Sequence, residues 1–196
     1  MKKQTKPSLR KLCLVAGLCL LAVAIAVPIL WQWHLGNARQ KAATYVQTIR
    51  TLTPQPQSAA PEERADNQMP ILPVDGKDFV GILEIPRCDS VLPIGAVWGS
   101  VTQYPCRLDG SAYNGTLQIG GTTQKGQYDF YRELSAGDAI YFTDMEGNRF
   151  SYQITDIRYE KHADQEALQQ KEADLTLFVK NLNAFEYIIV FCDALH

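Results

Sequence analysis

A chain of 196 residues has room for one domain of ordinary size plus accessory segments, and hardly for two full domains. Its formal charge of −2 conceals an asymmetry, because five of its 19 basic residues (Lys2, Lys3, Lys6, Arg10 and Lys11) crowd the first eleven positions and leave 14 against 21 acidic ones beyond. An acidic chain with only scattered Lys and Arg excludes nucleic acid as the expected partner, since phosphate binding needs a basic face.

The first element in chain order is the run Leu12 to Trp31, twenty residues without a charge. At about 1.5 Å per residue such a helix spans a hydrocarbon core of roughly 30 Å. Residues 1–11 then form a basic cytoplasmic tail, residues 12–31 a single-pass transmembrane anchor, and the rest of the chain lies outside the cell membrane. A cleaved signal peptide is the competing reading, because Ala24-Ile25-Ala26 resembles a cleavage site. The apolar run is longer than the usual apolar region of such peptides, which favours the uncleaved anchor.

Residues 32–77 read as a helix followed by a stalk. Asn37 to Thr51 has helix-forming composition, and Pro54 to Pro73 carries five prolines among Ser, Ala, Glu and Asn. That composition buries little apolar area, so it predicts a loose tether. The domain proper is expected over 78–196, beginning near Asp78.

Beyond that point short apolar segments alternate with turn signals, the pattern of a small barrel or sandwich. FVGILEI (79–85) and TLQIGG (116–121) are strand candidates. DAIYFTD (138–144) and RFSYQITDIRY (149–159) flank Met145 to Asn148 and predict a hairpin with Gly147 in its turn. Alternation in the second arm slips at Asp156 and Ile157, which predicts a bulge or a strand end. Ala163 to Ala173 reads as a short helix, followed by strands DLTLFVK (174–180) and FEYIIVFCDAL (185–195).

Of five cysteines, Cys13 and Cys19 fall in the apolar run and Cys88, Cys106 and Cys192 in the domain. Three thiols allow at most one internal pair, so either Cys106 and Cys192 form a disulfide or all three are reduced. His34, His162 and His196 are far apart and no C-x-x-C exists, so neither a metal nor a cofactor is expected.

FVGILEIP (79–86), PCRLDGSAY (105–113), YFTDMEGN (141–148) and LTLF (175–178) together resemble bacterial sortases, over nearly all of residues 78–195. The resemblance implies a mainly β fold: a closed barrel of about eight strands with one or two short helices, preceded by the N-terminal membrane helix. It also implies a membrane-anchored cysteine transpeptidase of the Gram-positive cell surface that joins secreted proteins to a cell-wall or pilus amine. Such chemistry uses a thiolate nucleophile in a TLxTC motif, a histidine after a glycine on another strand, and an arginine on the strand after the cysteine. In this chain Thr122 follows Gly121 at the histidine position. TLFVK places Val179 and Lys180 where Thr and Cys would stand, and Tyr187 occupies the arginine position.

The family's triad is therefore absent, which makes an inactive pseudoenzyme the favoured reading. Lys180 carries a nucleophilic nitrogen, yet a threonine hydroxyl supplies neither the base nor the acid its attack on an amide requires. Tyr187 offers one hydrogen bond to an oxyanion and no positive charge. As a displaced nucleophile Cys192 has the wrong strand parity relative to Tyr187, Cys106 reads as a packed apolar residue, Cys88 falls in a loop, and His162 reads as solvated. The expected function is binding, at the cell surface, of a sorting-signal-type peptide on a secreted protein, or of another sortase or pilus partner. The alternative is acyl transfer through a displaced nucleophile.

Overall fold

A computed structural model describes residues 9–58, 68–100, 103–161 and 173–195. The short helix expected over 163–173, His162 and His196 lie outside the described residues, Ala173 excepted. One helix, α1 (Leu9–Leu52), continues through Pro28 and joins the segments that the sequence divides into an anchor and a second helix. The chain forms two compact units, 1–37 and 38–196. In the first, the described side chains 16–28, among them Leu18, Leu20, Leu21, Val23, Ile25 and Val27, are all exposed. Among the described residues no helix is long and apolar enough to cross a membrane; the side chains of 12–15 and 29–31 lie outside them.

The described residues of the second unit form ten strands: β1 (Gln57–Ser58), β2 (Leu72–Val74), β3 (Lys77–Ile85), β4 (Ser90–Gly95), β5 (Cys106–Asp109), β6 (Leu117–Thr122), β7 (Ala139–Asp144), β8 (Asn148–Glu160), β9 (Leu175–Asn181) and β10 (Glu186–Ala194). Pairing runs β3-β4-β5-β6-β9-β10-β8-β7 and returns to β3, so eight strands close a barrel, with β1 on β8 and β2 on β3 as short additions. Closure leaves no free sheet edge around most of the circuit. The weakest join is β4 to β5, a single partner pair of Gly95 and Cys106, and it falls where Pro93 lacks an N–H to donate.

Side-chain parity explains the core. Ile119 of β6, Leu177 and Val179 of β9, and Ile188, Val190 and Cys192 of β10 point inward and meet Phe142, Phe150 and Tyr152 in one buried cluster. Each fully buried aliphatic side chain of this kind contributes roughly 1.5–3 kcal/mol. The expected hairpin is present as β7 and β8, and the expected irregularity is a bulge: Phe191 pairs with Asp156 and Cys192 with Ile154, which makes Thr155 the extra residue.

The compact unit starts earlier than the Asp78 read from the sequence. Ala42, Val46 and Ile49 of α1 are buried, and the latter two pack with Phe79, Ile82, Tyr104 and Cys106 on the outside of the barrel. Gln57 and Ser58 pair in parallel with Asn148 and Arg149, and Leu72–Val74 pair with β3. The described parts of the 54–73 segment are thus built into the sheet, and only its middle, 59–67, lies outside the described residues. The physical reason is the stripe at 42, 46 and 49, whose i, i+4, i+7 spacing gives the end of α1 an apolar face that closes onto the barrel.

Candidate functional site

β9 lies between β6 and β10, and its register brings the three positions singled out in the sequence into one row. Thr122 is the partner of Lys180 across the parallel pair, and Lys180 is the partner of Tyr187 across the antiparallel one. All three have the outward parity, opposite to that of Leu177, Val179 and Ile188. The row continues to Glu160, the β8 partner of Tyr187.

The three side chains differ in access. Thr122 is buried, and its hydroxyl and backbone N–H both donate to Oε1 of Gln127, at 3.2 and 2.8 Å, while Gln124 N donates back to the hydroxyl at 3.4 Å. A hydroxyl held in this way is committed to the loop after β6 and is not positioned to attack. Lys180 is exposed and makes no ion pair or hydrogen bond through its side chain among the described residues, while its carbonyl accepts from Thr123 N at 3.1 Å. Tyr187 is half-buried.

The loop behind the row is anchored by two close approaches. A side chain at Gly121 would meet the ring of Tyr128 at 2.5 Å, so the absence of a Cβ there lets this fully buried tyrosine close the end of the barrel. Gly126, at φ +85°, lies so near Arg39 of α1 that a Cβ would fall 2.9 Å from its Cα. Arg39 also pairs with Asp129 at 3.3 Å. Tyr128 is edge-on to Phe130, and its hydroxyl has no hydrogen-bond partner among the described residues.

Below the row, the outer face of β6, β9 and β10 is apolar. Phe178, Ile189 and Phe191 form a buried cluster with Leu108 and Ala173, and the Arg158 guanidinium stacks over Phe191 at 5.0 Å while pairing with Asp156 at 2.9 Å. Trp98 covers Gly120, where a Cβ would be 2.0 Å from the indole. Above the row, Asn181 ties the β9–β10 turn together: its Nδ2 donates to Tyr131 Oη at 3.2 Å and to Glu186 Oε1 at 2.9 Å, and its Oδ1 accepts from Asn183 N at 3.1 Å.

Among the described residues no cysteine reaches the row. Cys192 is fully buried in the barrel interior, on the face opposite Tyr187, and Cys106 is fully buried in the separate cluster under α1. The disulfide weighed from the sequence is not formed, because the two residues occupy different packing layers. Cys88 lies elsewhere, in a cleft of about 430 Å³ lined by Arg39, Asp89, Gln127, Asp129 and Glu133. Burial, then the carboxylates of Glu133 and Asp138, push its thiol above the ordinary range, against the weaker opposing effect of Arg87. Alkylation of Cys88 is accordingly expected to be slow at pH 8, and Glu133→Gln to speed it roughly two- to fivefold, read by mass spectrometry of the modified peptide. An unchanged rate in that variant would contradict the electrostatic cause.

Sequence reasoning points to Thr122, Lys180 and Tyr187 and misses Gln127, Tyr128 and Asn181, which hold the loop and turn around them. The doubled Gly120-Gly121 in β6 is the one signal that something packs closely there.

Solved structures with similar folds include sortase A from Corynebacterium diphtheriae, 17% identical with a TM-score of 0.53 over 83% of this chain and 84% of that one. The pilus-related sortase C of Group B Streptococcus is 18% identical with a TM-score of 0.51 over 71% of this chain and 79% of that one. Clostridium perfringens sortase C, solved with the C-terminal cell wall sorting motif, is 20% identical with a TM-score of 0.50 over 66% and 78%. No family model and no curated protein matches the chain. This mainly β, closed eight-stranded barrel is a sortase-like fold.

Proposed function

We propose that this chain is a membrane-anchored, sortase-like protein of the cell surface that binds a partner without processing it. The partner is a sorting-signal-type peptide on a secreted protein, or a sortase or pilus component presenting such a segment. One observation carries this reading: the row Thr122–Lys180–Tyr187 lies on the outer face of β6, β9 and β10 with no thiol or imidazole among its side chains. Transpeptidation needs a thiolate and a group that moves a proton to the leaving amine; a buried, hydrogen-bonded threonine and an exposed lysine supply neither. What remains accessible is a cation and a half-buried phenol, which suit an extended peptide with a carbonyl or carboxylate near Lys180. The likeness to a sortase solved with its sorting motif supports the choice of partner class.

Membrane attachment belongs to the same reading and rests on the uncharged run 12–31 behind five basic residues. Residues 1–11 would then be cytoplasmic and the barrel extracellular.

The test is a titration of the full chain with sorting-signal peptides and with sortases from the same cell, followed by intact mass. Saturable binding with no covalent adduct and no cleavage is expected. No binding to any of them, or an adduct at Lys180 or a cysteine, would overturn the proposal.

A further inference from the structure

The end of the barrel that carries the β9–β10 turn exposes apolar side chains that its own packing does not use. Phe185 is 85% exposed and Leu182 39% exposed. Phe185 also holds φ at +52°, a left-handed conformation that a non-glycine residue rarely adopts. Its exposure is fixed rather than incidental, because Asn181, itself buried, clamps the turn through Tyr131, Glu186 and Asn183.

Contacts place this turn at the end of the unit where the chain enters. Leu182 N donates to Thr123 Oγ1 at 3.3 Å, and three residues on, Gly126 abuts Arg39, the second residue of the unit. Lys125 lies in that connecting loop, and Lys161 follows Glu160, the partner of Tyr187. Both lysines are exposed, with no ion pair or hydrogen bond among the described residues. Of the nearby acids, Asp129 pairs with Arg39, Glu186 accepts from Asn181 and Glu160 lies across from Tyr187, while Asp89 and Glu133 line the cleft beside Arg39 and Gly126. In the sequence, Ala38, the first residue of this unit, follows the last residue of the apolar run, Trp31, by seven positions.

We propose that this end of the barrel rests on the lipid surface, with Phe185 and Leu182 in the interfacial layer and Lys125 and Lys161 against anionic headgroups. The inference rests on the membrane anchor proposed above. An exposed aromatic and an aliphatic side chain flanked by unpaired lysines is the combination that favours an interface over bulk water, the apolar groups by partial burial and each lysine by attraction to anionic lipid. Contact there would set the barrel's orientation and so the direction in which the row of Thr122, Lys180 and Tyr187 faces its partner.

The test uses the unmodified full chain in vesicles of phosphatidylcholine, with or without phosphatidylglycerol, doped with a lipid carrying a photoreactive group at headgroup level. Lipid adducts are mapped by peptide mass spectrometry. Adducts on the peptide containing residues 182–187 are expected in the anionic vesicles, falling about fivefold in the zwitterionic ones and in the Lys125→Gln/Lys161→Gln variant. That variant leaves Lys180 and the partner-binding row intact. Adducts confined to the first 37 residues, or equal yields in both vesicle types, would overturn the inference while leaving the anchor standing. Release of the whole chain from the vesicles by alkaline carbonate would instead overturn the anchor itself.

Discussion

Replacing Asp144 with alanine is expected to cost about 3–5 kcal/mol of stability. This carboxylate is 1% exposed and sits at the turn of the β7–β8 hairpin. Its Oδ1 accepts from the backbone N–H groups of Glu146 and Asn148, both at 2.9 Å, and its Oδ2 accepts from Asn148 Nδ2 at 2.9 Å and from the Tyr113 hydroxyl. Asn148 Nδ2 also donates to Tyr113 Oη at 3.1 Å. Alanine would remove four hydrogen bonds to one buried carboxylate, with Asn148 Nδ2 keeping its bond to Tyr113 Oη, and a hydrogen bond to a charged group is worth about 1.5–3 kcal/mol. The consequence reaches the whole barrel, because β7 is the strand through which β3 and β8 close the circuit. Urea denaturation followed by circular dichroism would read the change as a lower midpoint, and thermal melting as a fall of about 6–12 °C or more. A loss below about 1 kcal/mol would show that the turn is held by something other than this network.

The second large effect has the opposite sign. Tyr128→Phe is expected to stabilise the protein by about 1–2 kcal/mol at pH 7, because the hydroxyl is fully buried and has no partner among the described residues. The same residue makes stability fall at high pH. Burial above all, then the nearby Cys106 and Cys192, raise its pKa far beyond the ordinary tyrosine range, and Tyr152 is raised by burial, Asp174 and Cys192. Since the folded values lie above the unfolded ones, the stability these neutral phenols contribute is complete below pH ~10 and is lost as pH climbs past it. The two together should steepen the loss by about 2.7 kcal/mol per pH unit, and Tyr128→Phe should remove about half of that slope. Melting temperatures measured from pH 8 to 11.5 decide the matter: a destabilised Phe variant, or an unchanged alkaline slope, would mean that the hydroxyl is satisfied or solvated.

Much of the barrel can be read in the sequence because its strands announce themselves locally. Alternation of Phe150, Tyr152 and Ile154, a glycine in the preceding turn, and the break in alternation near Asp156 are features of neighbouring residues, and they correspond to β7, β8 and the Thr155 bulge. The end of α1 is less legible. Composition over 54–73 says solvated tether, whereas Ala42, Val46 and Ile49 carry a short apolar stripe that docks that end of the chain and draws β1 and β2 into the sheet. The site divides in the same way. Lys180 and Tyr187 face each other because a four-residue turn fixes the register of β9 and β10, which is local information. Thr122 joins them only through a parallel pairing across more than fifty residues, and Gln127 and Tyr128 act on it through packing that no sequence period records.

The row also limits what a single substitution could add. A cysteine at 180 would stand exposed on the outer face next to Thr122, whose hydroxyl is already held by Gln127. A nucleophile at 180 would need a base beside it, and the Gln127 contact released, before a proton could pass between positions 122 and 180.

The measurement that bears most directly on this account is a calorimetric titration of the full chain, and of its Lys180→Ala/Tyr187→Ala variant, with a sorting-signal peptide, each followed by intact mass. The account predicts saturable binding to the full chain, affinity lowered about tenfold or more in the variant, and an unchanged mass in every sample. Cleaved peptide or a covalent adduct on any residue would contradict it, as would equal affinity for the two proteins.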